Sequence, residues 1–138
     1  MRPGARASLG GGVKAGLTEA ARAAAPDECC GALLGTTDFT SEWHVARTIE
    51  LTNRSAHTER EYLITSDDVR FAQRKGRVDG LDVVGFFHSH PAGPAQPSAS
   101  DLARAWPGYL YIIVAADEVH AWTLDPDRDE FLAVDLSA

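Results

Sequence analysis

Residues 81–101 read LDVVGFFHSHPAGPAQPSASD: an apolar segment runs into two histidines, a loop rich in proline and then a polar segment. β-Branched and aromatic residues dominate 81–90, a composition typical of a buried strand. Prolines at 91, 94 and 97 stiffen the following loop, because each ring fixes its own φ angle. Ser98 then starts a short predicted helix over residues 98–106. This order of elements is typical of an α/β domain.

Upstream of this stretch, the chain alternates between helical and extended patterns. Alanine-rich residues 13–25 predict a helix that ends before Pro26. Two strands and a second helix follow, at 28–35, 42–51 and 66–76. Ser66 is the predicted N-cap of that second helix. Residues 1–12 are rich in glycine and predict a flexible N-terminus.

Downstream, three further segments have the composition of strands. They lie at 109–115, 119–124 and 131–134. The chain has 138 residues and no internal repeat or linker, a length that suits one domain. We therefore predict a single α/β domain over residues 13–138, built as a mixed β-sheet flanked by helices.

Composition limits the possible partners and location. Thirteen Lys and Arg against twenty Asp and Glu give a formal net charge of −7. This balance argues against a nucleic-acid or membrane partner, because both need a clustered basic face. Cys29 and Cys30 are adjacent, where a disulfide would be strained. Residues 1–12 lack the apolar run of a signal peptide, so we expect free thiols in the cytoplasm.

His88 and His90 are candidate metal ligands. They lie two residues apart on a predicted strand, so both imidazoles leave the same face. Catalytic zinc favours imidazole nitrogens with one carboxylate, which Asp101 supplies if the proline-rich loop folds back. The alternative is that Ser98 and Asp101 only form a helix capping box and that the histidines are ordinary core or surface residues. Asp101 can also serve both purposes, using one carboxylate oxygen for each.

The combined pattern resembles the JAMM (MPN-plus) metalloprotease family, in particular its small prokaryotic members, over residues 13–134. The matching motifs are His88-Ser-His90-Pro, Pro97-Ser98-x-x-Asp101 and the upstream Pro26-x-Glu28-Cys-Cys-Gly31. The resemblance implies an MPN-type, cytidine-deaminase-like fold. It also implies one Zn²⁺ per chain on His88, His90 and Asp101. Glu28 is then the residue that moves the proton, and Ser98 the one that steadies the tetrahedral intermediate.

The resemblance also implies a substrate class. A zinc metallopeptidase of this kind, a deubiquitinase-like isopeptidase, cleaves the bond after the C-terminal Gly-Gly tail of a ubiquitin-like or sulfur-carrier protein. The alternative is a non-catalytic MPN-type scaffold that binds ubiquitin-like partners. A zinc nucleoside deaminase would need H-x-E and P-C-x-x-C motifs, and neither occurs. A DNA-repair-associated relative would carry an extra helical module, for which this chain is too short.

The remaining candidates have simpler interpretations. Cys29 and Cys30 are expected to be packing residues, because no neighbour in the sequence would lower a thiol pKa. The three tryptophans, at 43, 106 and 122, are interpreted as core or partly exposed packing residues, with a partner surface as the alternative.

Overall fold

Seven strands and three helices make up the part of the chain that the computed structural model describes, residues 4–116 and 118–138. In chain order they are β1 (Arg6–Leu9), α1 (Val13–Ala24), β2 (Cys30–Thr37), β3 (Glu42–Leu51), α2 (Ser66–Val78), β4 (Asp82–Ser89), α3 (Ala99–Ala103), β5 (Leu110–Ala115), β6 (Glu118–Asp125) and β7 (Glu130–Ser137). None of the described helices is long and apolar enough to cross a bilayer. The prediction of an α/β domain with a mixed sheet is confirmed.

The strands form one mixed sheet that closes on itself. Their spatial order is β1-β3-β2-β4-β5-β6-β7, and β7 pairs back onto β1. Strand β1 is parallel to both of its neighbours, and β4 is parallel to β5. The other pairs are antiparallel. The parallel pair β4–β5 matters most for function, because β4 carries the predicted metal ligand His88 and the other two predicted ligands follow this strand.

Strand β1 corrects the prediction of a flexible N-terminus over residues 1–12. Arg6–Leu9 form a paired strand in which Ala7 and Leu9 are buried. The prediction failed because four residues carry too weak a local signal, and this strand gains its stability from β3 and β7. Residues 1–3, which belong to the same prediction, lie outside the described residues.

Helices cover both faces of the sheet, and β2 shows how the side chains are divided. Leu33 belongs to the main core, which includes Val13 and Leu17 of α1. Its neighbours Ala32 and Leu34 point the other way, into a second core with residues of α2. This alternation follows from the two-residue period of a strand. Strand β2 is therefore buried on both faces, which gives the site next to it a rigid support.

The helix boundaries agree with the predictions to within three residues. Helix α1 ends at Ala24, just before Pro26. Helix α2 is capped one residue earlier than predicted, because Thr65 and not Ser66 accepts the hydrogen bond from the Asp68 backbone N–H. Helix α3 ends at Ala103, short of the predicted end at residue 106.

Gly31 is required where β2 passes between its neighbours. A Cβ at this position would overlap the carbonyl oxygen of Ile49 and the ring of Phe87. Because both groups belong to paired strands, we expect Gly31→Ala to lower the free energy of unfolding by roughly 1–3 kcal/mol. Urea denaturation measures this change.

Gly16→Ala is the matched control. It adds the same methyl group inside α1, where no atom lies within 4 Å of the new Cβ. This variant is expected to gain roughly 0.5–1 kcal/mol from the better helix propensity of alanine. Equal stability of the two variants would contradict the close approach at Gly31.

Candidate metal centre and active site

Strand pairing between β2 and β4 brings Glu28 beside the two histidines. Cys30 lies opposite His88 in the antiparallel register. Just beyond, the Cys29 N–H donates to Ser89 Oγ at 2.8 Å, and the Ser89 N–H donates to the Cys29 carbonyl at 3.0 Å. Ser89 thus hydrogen-bonds with Cys29 through both its backbone and its side chain. The residues on either side of it, His88 and His90, carry the imidazoles.

The three predicted metal ligands converge on one point. His88 Nε2 lies 3.0 Å from His90 Nε2. The two nitrogens lie 3.1 and 3.2 Å from Asp101 Oδ2. Asp101 reaches them because the proline-rich loop turns α3 back toward the end of β4, and the His90 N–H bonds to the Val114 carbonyl of β5 at 2.8 Å.

Asp101 also takes part in a complete capping box. The Asp101 N–H donates to Ser98 Oγ at 3.1 Å, and the Ser98 N–H donates to Asp101 Oδ2 at 2.9 Å. The capping interpretation is therefore correct as far as it goes. The expectation that Asp101 uses a different oxygen for each task is wrong, because Oδ2 both caps the helix and faces the histidines.

The two histidines differ in how readily they hold a proton. His90 Nδ1 lies 2.8 Å from the carbonyl oxygen of Pro94, an acceptor only, so Nδ1 carries the hydrogen. Burial opposes the charged form of His90, but its hydrogen bonds with Asp101 and with the Pro94 carbonyl outweigh burial and raise the pKa of His90. Burial lowers the pKa of His88 despite its hydrogen bond with Asp101, so His88 favours the neutral imidazole more than His90 does. Burial opposes ionisation of Asp101, but the bonds with both histidines outweigh it and lower its pKa well below the ordinary value.

These donor atoms fit zinc. Two imidazole nitrogens and one carboxylate oxygen are the usual protein ligands of catalytic zinc, whose bonds of about 2.0–2.1 Å place tetrahedral neighbours about 3.3 Å apart. The three atoms here form a triangle with sides of 3.0, 3.1 and 3.2 Å. The residues present therefore suit a zinc ion held on three protein ligands.

Glu28 lies next to this triangle but is not its nearest carboxylate. One of its oxygens and one nitrogen of each histidine all lie within 4.8 Å of one another. Asp101 Oδ2 is closer to both histidines, at 3.1 and 3.2 Å, than Glu28 is. The Glu28 side chain is buried, and its Oε1 has no hydrogen-bond partner among the described residues. Burial raises the pKa of Glu28 to about 7, opposed by His90 and reinforced by Asp101 and Glu61.

The loop after β3 fixes the backbone of Glu28. The Glu28 N–H donates to the Thr58 carbonyl at 2.7 Å. Asn53 Nδ2 donates to the Glu28 carbonyl at 3.1 Å and to the Glu61 carbonyl at 2.9 Å. A general base needs such fixed placement, because proton transfer works only at hydrogen-bond distance. The contact of Asn53 with Glu28 could not be predicted from the sequence, since an asparagine in a polar loop gives no pattern of its own.

Tyr62 is a second residue that the sequence did not reveal. Its ring stacks on the imidazole of His88, with centroids 4.2 Å apart and planes at 20°. Tyr62 is itself buried, and the Arg104 side chain, just after α3, donates to the Tyr62 carbonyl oxygen. Nothing in the spacing between Tyr62 and the histidine motif indicated this contact.

The two cysteines play no part in the site chemistry. Both are free and buried. Burial raises the pKa of Cys29 and raises that of Cys30 to about 12, so neither is a ready thiolate nucleophile. The structure thus agrees with a packing role for both residues.

Three features together indicate a small hydrolytic α/β domain. They are the closed mixed sheet, the His–His–Asp cluster and the buried glutamate. A family model described as prokaryotic homologs of the JAB domain matches residues 13–125, and the chain belongs to this family.

Two characterised relatives specify the class of enzyme. The chain is 36% identical to the desampylase of Haloferax volcanii over 118 residues, which cover 80% of each chain. It is 32% identical to the probable TtuB-protein conjugate cleaving protease of Thermus thermophilus over 126 residues, which cover 88% of this chain and 81% of the relative. The chain is accordingly a peptidase of the isopeptidase type.

Solved structures agree on the fold. The solution structure of protein DSY2949 from Desulfitobacterium hafniense has a TM-score of 0.83 at 26% identity, covering 96% of this chain and 92% of the other. The JAB1/MPN domain protein AF2198 from Archaeoglobus fulgidus has a TM-score of 0.58 at 22% identity, covering 96% and 99% of the two chains. The second likeness bears on the fold alone.

Proposed function

We propose that this protein is a zinc-dependent isopeptidase that cleaves the bond after the C-terminal Gly-Gly tail of a ubiquitin-like or sulfur-carrier protein. The zinc ligands are His88, His90 and Asp101, one ion per chain. Glu28 carries the proton, and Ser98 donates a hydrogen bond to the developing oxyanion.

The observation that carries the proposal is the buried triangle of His88 Nε2, His90 Nε2 and Asp101 Oδ2, with Glu28 beside it. Three ligands with one open position are typical of catalytic zinc, whereas structural zinc has four protein ligands. A carboxylate held near the open position by a fixed backbone is the natural partner for a water nucleophile.

Zinc, when bound, acidifies a water molecule near neutral pH and polarises the scissile carbonyl. Residues of the chain transfer the proton, stabilise the oxyanion and orient the ligands. Glu28 accepts a proton from the attacking water and returns it to the leaving amine. The Ser98 hydroxyl accepts the Asp101 N–H, and its own hydrogen, whose other candidate acceptor is Ser100 Oγ at 3.5 Å, can be donated to the oxyanion. His90 keeps its orientation through the Pro94 carbonyl.

The substrate class rests on the relatives. One is named a desampylase and the other a protease that cleaves TtuB–protein conjugates. Cleavage of a conjugate made through the tail of a small carrier protein accounts for both names. The predictions of a cytoplasmic location and of no nucleic-acid or membrane partner stay predictions.

The direct test combines metal analysis with a cleavage assay. Purified protein is expected to carry one zinc per chain and to release a short peptide fused after the Gly-Gly of a ubiquitin-like carrier, as followed by mass spectrometry. Absence of bound zinc at neutral pH would contradict the metal site. Stoichiometric zinc without cleavage of any tailed carrier would favour the non-catalytic scaffold.

Replacing Tyr62 tests how His88 is oriented. A metal-bound histidine usually donates its second N–H to a fixed acceptor, but His88 Nδ1 has no partner among the described residues. Stacking on Tyr62 is the contact that fixes the ring plane. We expect Tyr62→Leu to weaken zinc binding about tenfold, the lower end of the usual effect of supporting residues. Competition with a chromophoric chelator measures the affinity.

Tyr62→Phe is the control, because it keeps the aromatic face and removes only the hydroxyl. Its zinc affinity is expected to match that of the original protein. If the leucine and phenylalanine variants bind zinc equally well, the stack does not orient His88.

A further inference from the structure

A groove of about 800 Å³ lies between α2 and the chain that follows α3. We call it the α2–α3 groove. Its apolar lining is formed by Tyr62, Ile64, Val69, Phe86, Trp106 and Tyr111. The groove is too large for a single side chain and has the size of a site for an extended peptide or a small molecule.

The groove adjoins the candidate metal centre through Tyr62. Tyr62 lines the groove and at the same time stacks on the ring of His88, 4.2 Å away between centroids. Arg104, on the other wall, donates to the Tyr62 carbonyl oxygen. A chain segment lying in the groove would therefore contact the residue that packs against His88.

The charge of the groove is opposite to that of the whole protein. Among the described residues that line it, Arg70 and Arg104 are the charged ones, and none carries a carboxylate. The chain as a whole has a net charge of −7. Each arginine has an ion-pair partner, Asp67 and Glu61 respectively, but neither partner lines the groove.

Both ion pairs leave their arginines available to a ligand. The Arg70 side chain is 60% exposed and that of Arg104 is 38% exposed, and the Arg104–Glu61 distance is 3.9 Å. Exposed pairs of this kind contribute little to stability, so a carboxylate of a ligand can compete for the guanidinium groups. In the groove, such a carboxylate would be partly removed from water and would interact more strongly.

Trp106 adds an apolar contact site. It is 68% exposed, although large aromatic side chains are usually much more buried. Its backbone N–H donates to the Tyr111 hydroxyl at 2.8 Å, which holds this segment against the groove floor. Tryptophan and arginine are the residue types that most often dominate binding at protein interfaces. This exposure favours the second interpretation of Trp106, a partner surface.

We propose that the α2–α3 groove binds the substrate segment that immediately precedes the Gly-Gly, and that it selects apolar and acidic side chains over basic ones. The inference rests on the proposed function, in which an extended carrier tail must reach the zinc site. Arg70 and Arg104 are the specificity-determining residues, and Trp106 supplies affinity without selecting charge.

The test uses two fluorogenic peptides that differ only in charge, acetyl-Leu-Glu-Leu-Glu-Gly-Gly-aminomethylcoumarin and its counterpart with arginine in place of glutamate. The original protein is expected to hydrolyse the acidic peptide at least about tenfold more efficiently, as judged by kcat/KM. Arg70→Glu is expected to reverse this preference. Trp106→Ser should lower kcat/KM for both peptides by a similar factor.

Arg74→Glu is the matched control. Arg74 is an exposed residue of the same helix but does not line the groove. This variant makes the same change in net charge, so it should leave the ratio of the two kcat/KM values unchanged. Arg104→Glu provides a second charge reversal on the other wall. Equal hydrolysis of the two peptides by the original protein would overturn the proposal, as would equal shifts in the Arg70 and Arg74 variants.

Peptide binding separates this inference from the proposed function. The Glu28→Gln variant allows fluorescence polarisation with labelled versions of both peptides, in the absence of turnover. If no tailed substrate is cleaved but the acidic peptide binds preferentially and Arg70→Glu removes that preference, the groove assignment stands and the proposed function fails. If cleavage occurs without charge preference in either assay, the proposed function stands and the groove assignment fails.

Discussion

Replacing Glu28 by glutamine is expected to lower kcat/KM by roughly 10²- to 10⁴-fold, the usual contribution of a general base. Glutamine has nearly the same shape but cannot accept a proton from water. Zinc content should remain at one per chain, because the three ligands are untouched. Cleavage of a Gly-Gly-tailed carrier and metal analysis of the same preparation provide the two measurements. Activity within a few-fold of the original would exclude Glu28 as the proton carrier.

The same variant should make the zinc-free protein more stable at neutral pH. Burial raises the pKa of Glu28 from 4.5 to about 7. Between these values the folded state holds a proton that the unfolded state has released, so the free energy of unfolding falls as the pH rises. At about 1.4 kcal/mol per pKa unit, ionisation of Glu28 lowers the free energy of unfolding by up to about 3 kcal/mol above pH 7.

Urea denaturation in the presence of a chelator, at pH 5 and pH 8, measures this effect. Glu28→Gln should gain stability relative to the original protein at pH 8 and much less at pH 5. Adding zinc should shrink the difference, because the positive charge favours the ionised carboxylate. A difference that is independent of pH would mean that Glu28 is not buried as the structure describes.

Asp101→Asn is expected to remove zinc binding, with a loss of affinity of at least about 100-fold, since supporting residues alone give up to this amount. The amide oxygen can still accept the Ser98 N–H, so the helix cap is largely kept. The clearest readout is thermal unfolding with and without zinc. A metal present at 100 times its dissociation constant stabilises a protein by about 2.7 kcal/mol. The original protein should show this shift, and Asp101→Asn should not.

Ser98→Ala gives the opposite pattern and serves as the control. It removes the hydroxyl that accepts the Asp101 N–H and should cost about 1 kcal/mol of stability. The three zinc ligands remain, so the increase in Tm caused by zinc should match that of the original protein. A full zinc-dependent shift in Asp101→Asn would reduce Asp101 to a capping residue.

Much of the fold was predictable because most elements carry their own signal. The alanine-rich segment of α1 and the β-branched and aromatic run of β4 are each recognisable from their composition. Strand β1 could not be found in this way, since Arg6–Leu9 become a strand only by pairing with distant partners. The closure of the sheet was missed for the same reason.

The candidate site divides along similar lines. His88, His90 and Asp101 have a fixed spacing within one stretch of chain, and the spacing predicted their proximity. Glu28 was found only through the motif around it, because its position depends on the register of β2 against β4. Tyr62 contacts His88 through the three-dimensional path of a loop. Contacts of this kind leave no trace in the spacing of residues.

Strand β1 has a consequence for how this protein is made. It leaves the ribosome before all other strands described here, yet one of its two partners, β7, emerges last among them. Domains usually begin to fold while synthesis proceeds. Here the barrel cannot close until β7 is free, so β1 must wait, paired on one side at most, for more than a hundred residues of elongation. Co-translational folding should therefore proceed through an open-sheet intermediate whose seam lies between β1 and β7.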